Sequence, residues 1–331
     1  MADVAAFADE DKILNSHGGI MKKILVAAFS FACSLAGLFS QEKIFLWPGD
    51  TAPGSKNVKV AHEIVERSKV EGVHNRAEMG ITQPYMTMYK ASNPNGAAII
   101  IAPGGAYQRV VYDVEGGDRA KLYCDNGYTV FVLNYRLPGD GHDEGSYAPL
   151  ADAQRAIRIV RGNAEKYGID PAKIGVMGSS AGGHLASCLG TMYDEKIGSK
   201  VDALDDVSAR PDFMMLCYPV ITMQDGICHE GSRKVLIGEK PKKKLKNAFS
   251  TDLLVNEKTP LTFIALSQND GSVKPFYNGV AFAKKLSEKG VPYELHIFQD
   301  GKHGFKTDDS KATCNDWQKL SLDWLNAYVN K

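Results

Sequence analysis

The chain has 331 residues, 44% of them hydrophobic and 24% charged, and its 39 basic and 39 acidic side chains cancel to a formal net charge of zero. The composition is that of a globular protein, and the charge balance argues against nucleic acid or an anionic membrane as the main partner. A small neutral or mixed-charge substrate suits it better.

Residues 1–20 lie upstream of a better start at Met21 and read as an extension outside the native protein. Met21-Lys22-Lys23 then leads into an uncharged, mostly apolar run that stops at Ser40-Gln41. Two lysines, an apolar stretch and small exit residues are the layout of a secretory signal peptide over 21–40, and the run is short for a membrane span. The expectation is export to the periplasm or the cell exterior, with no stable membrane insertion after cleavage and a folded domain over 41–331. Five cysteines remain in that domain (Cys124, Cys188, Cys217, Cys228 and Cys314), scattered and without CxxC spacing, which points to neither a disulfide framework nor a zinc site.

Residues 41–95 are rich in Pro, Gly and Asn, and 81–90 (ITQPYMTMYK) read as an edge strand. From 97 onward strand and helix patterns alternate. The apolar run 97–102 is a buried strand ending at Pro103-Gly104-Gly105; a helix over 117–126 stops at Gly127; 128–135 is a second buried strand. A helix over 150–167 closes at Gly168, and strands follow at 174–177, 213–220, 261–267 and 293–298. A helix at 273–289 separates the last two strands, and another closes the chain after Cys314. This alternation predicts a mostly parallel sheet covered by helices on both faces. The stretch 221–260 breaks the rhythm and reads as an excursion over the carboxyl edge of the sheet, framing a cleft; its basic run Lys240-Pro241-Lys242-Lys243-Lys244 reads as solvated surface.

The chemistry concentrates at Gly178-Ser179-Ser180-Ala181-Gly182. A strand that turns sharply into a helix lifts one serine above the sheet, and the positions two residues either side must be small. Ser180 therefore reads as a nucleophile and Ser179 as turned aside. A serine hydroxyl needs a base, and the base needs a group to orient it. His303, in the loop after the last strand, fits the base, and Asp270, in the loop after the preceding strand, fits the acid. His184, His229 and His296 fit less well, and Asp300 reads as a turn residue. Acyl transfer also needs N–H donors for an oxyanion, for which Gly104 and Gly105 after the first central strand, together with the amide of Ala181, are the candidates. Tyr107 beside them is a candidate sugar-stacking contact, with a core or loop-supporting role as the alternative. Nothing here calls for a metal or an organic cofactor.

These residues carry a resemblance. PGGAY (103–107), Glu115-Gly116, Tyr135-Arg136, GSSAGGHLA (178–186), Asp270-Gly271-Ser272-Val273 and GKHGF (301–305) resemble, in order, motifs of the α/β-hydrolase superfamily, and within it the bacterial carbohydrate esterases related to hormone-sensitive lipase. Pro103 and Ala106 depart from the lipase-type HGGG loop. The resemblance implies an α/β-hydrolase fold with a small or absent cap and a secreted serine esterase. Its substrates would be small acyl esters or acetylated polysaccharide, most often acetylated xylan; feruloyl or general short-chain esters, and more remotely amides or peptides, are the alternatives.

Overall fold

The computed structural model describes residues 41–306 and 310–330, so the expected signal peptide and the upstream extension lie outside the described residues. In chain order the strands are β1 (Gln41–Phe45), β2 (Glu63–Glu66), β3 (Arg76–Met79), β4 (Tyr85–Tyr89), β5 (Ala98–Ala102), β6 (Thr129–Asn134), β7 (Ile174–Ser179), β8 (Phe213–Cys217), β9 (Leu261–Ser267) and β10 (Tyr293–Phe298). The main helices are α1 (Asp118–Asp125), α2 (Ala148–Gly162), α3 (Ala181–Thr191), α4 (Glu230–Ile237), α5 (Lys243–Ala248), α6 (Gly279–Glu288) and α7 (Trp317–Tyr328).

Eight strands form one sheet in the order β1-β4-β6-β5-β7-β8-β9-β10. From β6 to β10 every pairing is parallel, whereas β4 runs antiparallel to both β1 and β6. The central strands are buried along their whole length because both faces are covered. Alternation along β8 shows the two layers. Phe213 packs edge-on against Trp324 of α7, while Met214 and Leu216 join Leu189 of α3 and Ile157 of α2 in the larger core.

Three differences from the sequence reading have local causes. The stretch 81–90 is not an edge: β4 has a neighbour on each side, and the edge is β1, whose charged sequence hides its pairing. The strand read at 213–220 stops at Cys217 because Tyr218 turns to φ +36° and Pro219 has no amide to donate. The region 41–95 also holds a separate antiparallel hairpin, β2–β3, which the sequence did not announce. The hairpin is tied down by Arg76, whose Nε and Nη2 donate to the two carboxylate oxygens of Asp113 at 2.9 and 3.0 Å. Glu78, which is buried, accepts from Tyr85 Oη at 2.6 Å and from Asn134 Nδ2. The excursion at 221–260 carries the short helices α4 and α5 and a 3₁₀ turn at Thr251–Leu253.

Arg136, at the end of β6, pins the segment before the hairpin. Its side chain is fully buried, and Nε donates to both oxygens of Asp152 at 3.1 and 3.0 Å. Nη1 reaches the carbonyl of Pro53 at 2.6 Å and Glu144 at 3.1 Å, and Trp47 Nε1 donates to Asp152 at 2.8 Å. Removing one member of a buried pair strands the other charge away from water. Asp152→Ala is expected to lower the unfolding free energy by about 3–5 kcal/mol, read as a fall in the urea midpoint with an unchanged slope.

Candidate active site

The strands β5, β7, β8, β9 and β10 deliver their carboxyl ends to one rim, the place where open parallel sheets hold ligands. At that rim Ser180 adopts φ +54° and ψ −121°, a conformation that L-residues avoid unless the surroundings impose it. Its N–H donates to Cys217 O at 3.1 Å and its C=O accepts from Val220 N at 3.0 Å, so the turn is stitched to β8. The neighbouring glycines are required by contact. A Cβ on Gly178 would lie 2.1 Å from Gly182 O, and one on Gly182 would lie 2.1 Å from Ala102 O. Ser179 points the other way, fully buried, with its hydroxyl on Arg119 Nη1.

His303 Nε2 lies 2.9 Å from Ser180 Oγ, and His303 Nδ1 lies 2.7 Å from Asp270 Oδ2. The other oxygen of Asp270 accepts from the N–H groups of Ser272 and Val273, each at 2.8 Å. The carboxylate is thus buried and fixed, which favours the tautomer with the proton on Nδ1 and leaves Nε2 to accept from the serine hydroxyl. Asn269 holds the two loops together. Its Oδ1 accepts from Lys302 N–H at 2.8 Å, one residue before the histidine, and its Nδ2 donates to Asp300 at 3.0 Å. Asp300, as read from the sequence, is a turn residue.

The loop after β5 differs in two respects from its sequence reading. The N–H of Gly104 donates to Glu115 Oε2 at 2.7 Å, so it is engaged within the protein and does not serve as an oxyanion donor. Among the described residues no acceptor engages the N–H of Gly105, at φ +136°, or of Ala181, the first residue of α3. Tyr107 is 1% exposed and its hydroxyl lies 2.8 Å from His184 Nδ1, so no sugar stacks on it; it is a core residue that supports the loop. Ala106 and Tyr107 both sit at positive φ, +57° and +60°, so the loop keeps a glycine-like shape although its third glycine is absent.

Ser180 and His303 open into a cleft of about 390 Å³ that Gly105, Ala106, Tyr218 and His229 also line. A larger cleft of about 560 Å³ lies among residues 53–54, 143–147 and 195–201, and none of the candidate chemical groups lines it. Sequence reasoning missed Tyr218, whose ring stands edge-on to His303 at 5.0 Å, and Arg119, which donates to the Tyr218 hydroxyl. It also set aside His229. Nδ1 of that ring accepts from Ser232 N at 3.2 Å as the cap of α4, which leaves the ring's remaining proton on Nε2. The only signal was position, Tyr218 just after a strand and His229 inside the excursion; Arg119, within α1, gave none.

The chain is similar to several known proteins. The BD-FAE family matches residues 85–286. An acetylxylan esterase of Xylanibacter ruminicola is 33% identical over 223 residues, 66% of this chain and 43% of that protein. Endo-1,4-beta-xylanase B of Butyrivibrio fibrisolvens is 35% identical over 206 residues, 62% of this chain and 32% of that protein. This chain therefore spans less than half the length of either curated relative. A crystal structure of an acetyl ester-xyloside bifunctional hydrolase from Caldicellulosiruptor lactoaceticus superposes with a TM-score of 0.69 at 35% identity, covering 86% of this chain and 96% of that one. An esterase from Thermogutta terrifontis shares the fold, with a TM-score of 0.61 at 24% identity over 83% of this chain and 96% of that one. The chain belongs to the BD-FAE family and has the α/β-hydrolase fold.

Beneath the loop, His184 is fully buried between two partners. Its Nε2 donates to Phe249 O at 2.7 Å, so Nδ1 accepts from the Tyr107 hydroxyl and the ring is neutral. Burial, opposed by the Phe249 carbonyl, lowers its pKa to about 4 from 6.5. The unfolded chain then binds this proton more tightly. The contribution is complete above pH 6.5 and is lost as pH falls toward 4, up to about 3 kcal/mol. Urea unfolding across this window is expected to show a smaller decline for His184→Gln than for the parent.

Proposed function

We propose that the chain is a serine esterase that hydrolyses carboxylic esters through an acyl-enzyme, and that it deacetylates xylan or a related plant polysaccharide. The observation that carries the reading is the continuous hydrogen-bonded line from Ser180 Oγ through His303, at 2.9 and 2.7 Å, to Asp270. The relatives' names support the ester and xylan parts. The apolar run after Met21-Lys22-Lys23 supports export to the periplasm or beyond.

In this reading Ser180 Oγ attacks the ester carbonyl as its proton passes to His303 Nε2. The carbonyl oxygen becomes an oxyanion held by the amides of Gly105 and Ala181, helped by the positive end of the α3 dipole. As the tetrahedral intermediate collapses, the carbon–oxygen bond to the alcohol breaks and His303 returns the proton to that alcohol. Water then gives its proton to His303 and attacks the acyl-serine, and the acid leaves as Ser180 regains its proton. Asp270 keeps the imidazole oriented and stabilises its charged form throughout.

Ser180→Ala is expected to lower kcat on p-nitrophenyl acetate and on acetylated xylan by about 10³-fold or more. A fluorophosphonate should label the parent at this serine and leave the variant unmodified. Turnover by the variant within tenfold of the parent would end the assignment.

A further inference from the structure

The cleft is more cationic than the chain that forms it. Formal charge over the whole sequence is zero, and six of its ten arginines lie within 4.0 Å of a carboxylate. The four with no such partner among the described residues are Arg67, Arg109, Arg119 and Arg210. Three of these four, Arg67, Arg109 and Arg119, line the cleft that contains Ser180 and His303. Arg119 is committed to the buried hydroxyls of Ser179 and Tyr218. The other two guanidinium groups meet no anion among the described residues. Arg67, beyond the end of β2, donates from Nη1 to Asn75 Oδ1 at 3.2 Å, a neutral acceptor. Arg109 packs its stem against the oxyanion loop, where its Cγ lies 2.9 Å from the position a Cβ on Gly105 would take. Lys306 adds a further cation to the same lining. The one carboxylate of that lining among the described residues, Glu115, is occupied by the amide of Gly104 at 2.7 Å.

Six of the seven guanidinium groups outside this cleft have a carboxylate partner, so two that line the cleft without one among the described residues mark a place for an anion. From this we infer that the ester taken here carries a carboxylate, held by Arg109 and Arg67 beside the oxyanion loop. The inference rests on the esterase reading above and narrows its substrate class. The planar guanidinium fork matches a carboxylate through two parallel N–H···O bonds, and the placement of Arg109 beside Gly105 sets that anion close to the scissile carbonyl. The carboxylate has two sources. It sits on the alcohol side in an acetylated oligosaccharide that bears a uronic acid, and on the acyl side in a half-ester of a dicarboxylic acid.

The test compares kcat/KM for phenyl acetate, 3-acetoxybenzoate and monophenyl succinate, in the full chain and in the double variant Arg67→Gln, Arg109→Gln. Each result is read as the ratio of an anionic ester to phenyl acetate within one protein, so a lowered folded fraction cancels. The ratio for at least one anionic ester is expected to fall about tenfold in the double variant and to fall in the parent as salt is raised. Arg210→Gln, remote from the cleft lining, should keep the parental ratio. A fall confined to 3-acetoxybenzoate places the carboxylate on the alcohol side, and one confined to monophenyl succinate places it on the acyl side. Ratios equal in the parent and the double variant for both anionic esters overturn the inference while leaving the esterase reading intact. Failure of the parent to turn over any of the three overturns both.

Discussion

The site depends on one backbone constraint, the reversal of the chain at Ser180. A non-glycine residue at φ +54° costs roughly 1–3 kcal/mol and persists only where its surroundings over-determine it. Here they do. The residue's own amide and carbonyl are bonded to Cys217 and Val220, and Gly178 and Gly182 let the strand, the helix and the loop after β5 close to van der Waals contact. The same closeness brings the amide of Ala181 and the loop at 103–107 to one side of the hydroxyl. Strand pairing then does the rest, because Asp270 and His303 hang from β9 and β10 at the same rim.

Much of this was legible in the sequence where the physics is local. The strands at 261–267 and 293–298 were read to the residue, since short apolar or alternating runs bounded by turn residues have few other readings. Gly-x-Ser-x-Gly is legible because its spacing is the signal, although only Gly178 answers a contact within a few residues; Gly182 answers Ala102, on the neighbouring strand. What could not be read is set by partners far along the chain. Gly104 looks like a free donor until Glu115, 11 residues on, folds back onto its amide. Tyr107 looks like a wall until His184, 77 residues away, takes its hydroxyl. β1 is charged and short, and it becomes a strand only because β4 lies beside it.

Behind the serine stands a second layer that no motif announces. Arg119 is 6% exposed and has no carboxylate within ion-pair distance among the described residues. It is held instead by two hydroxyls and by the faces of Tyr218 and Trp317, whose centroids lie 5.8 and 5.2 Å from its guanidinium carbon. Contacts of this kind partly offset the loss of water around a buried cation. Because the same tyrosine leans on the His303 ring, the cation, the imidazole and the elbow form one packed unit.

The position of β10 has a consequence for how such a molecule fails. Ser180 extends from β7, well inside the sheet, whereas His303 extends from the outermost strand, of which only Phe298 is buried. Outer strands open at a lower free-energy cost than the centre of a sheet. Warming is therefore expected to part the His303 imidazole from the Ser180 hydroxyl while the middle of the protein still holds its shape, at a temperature where the circular-dichroism signal is still intact.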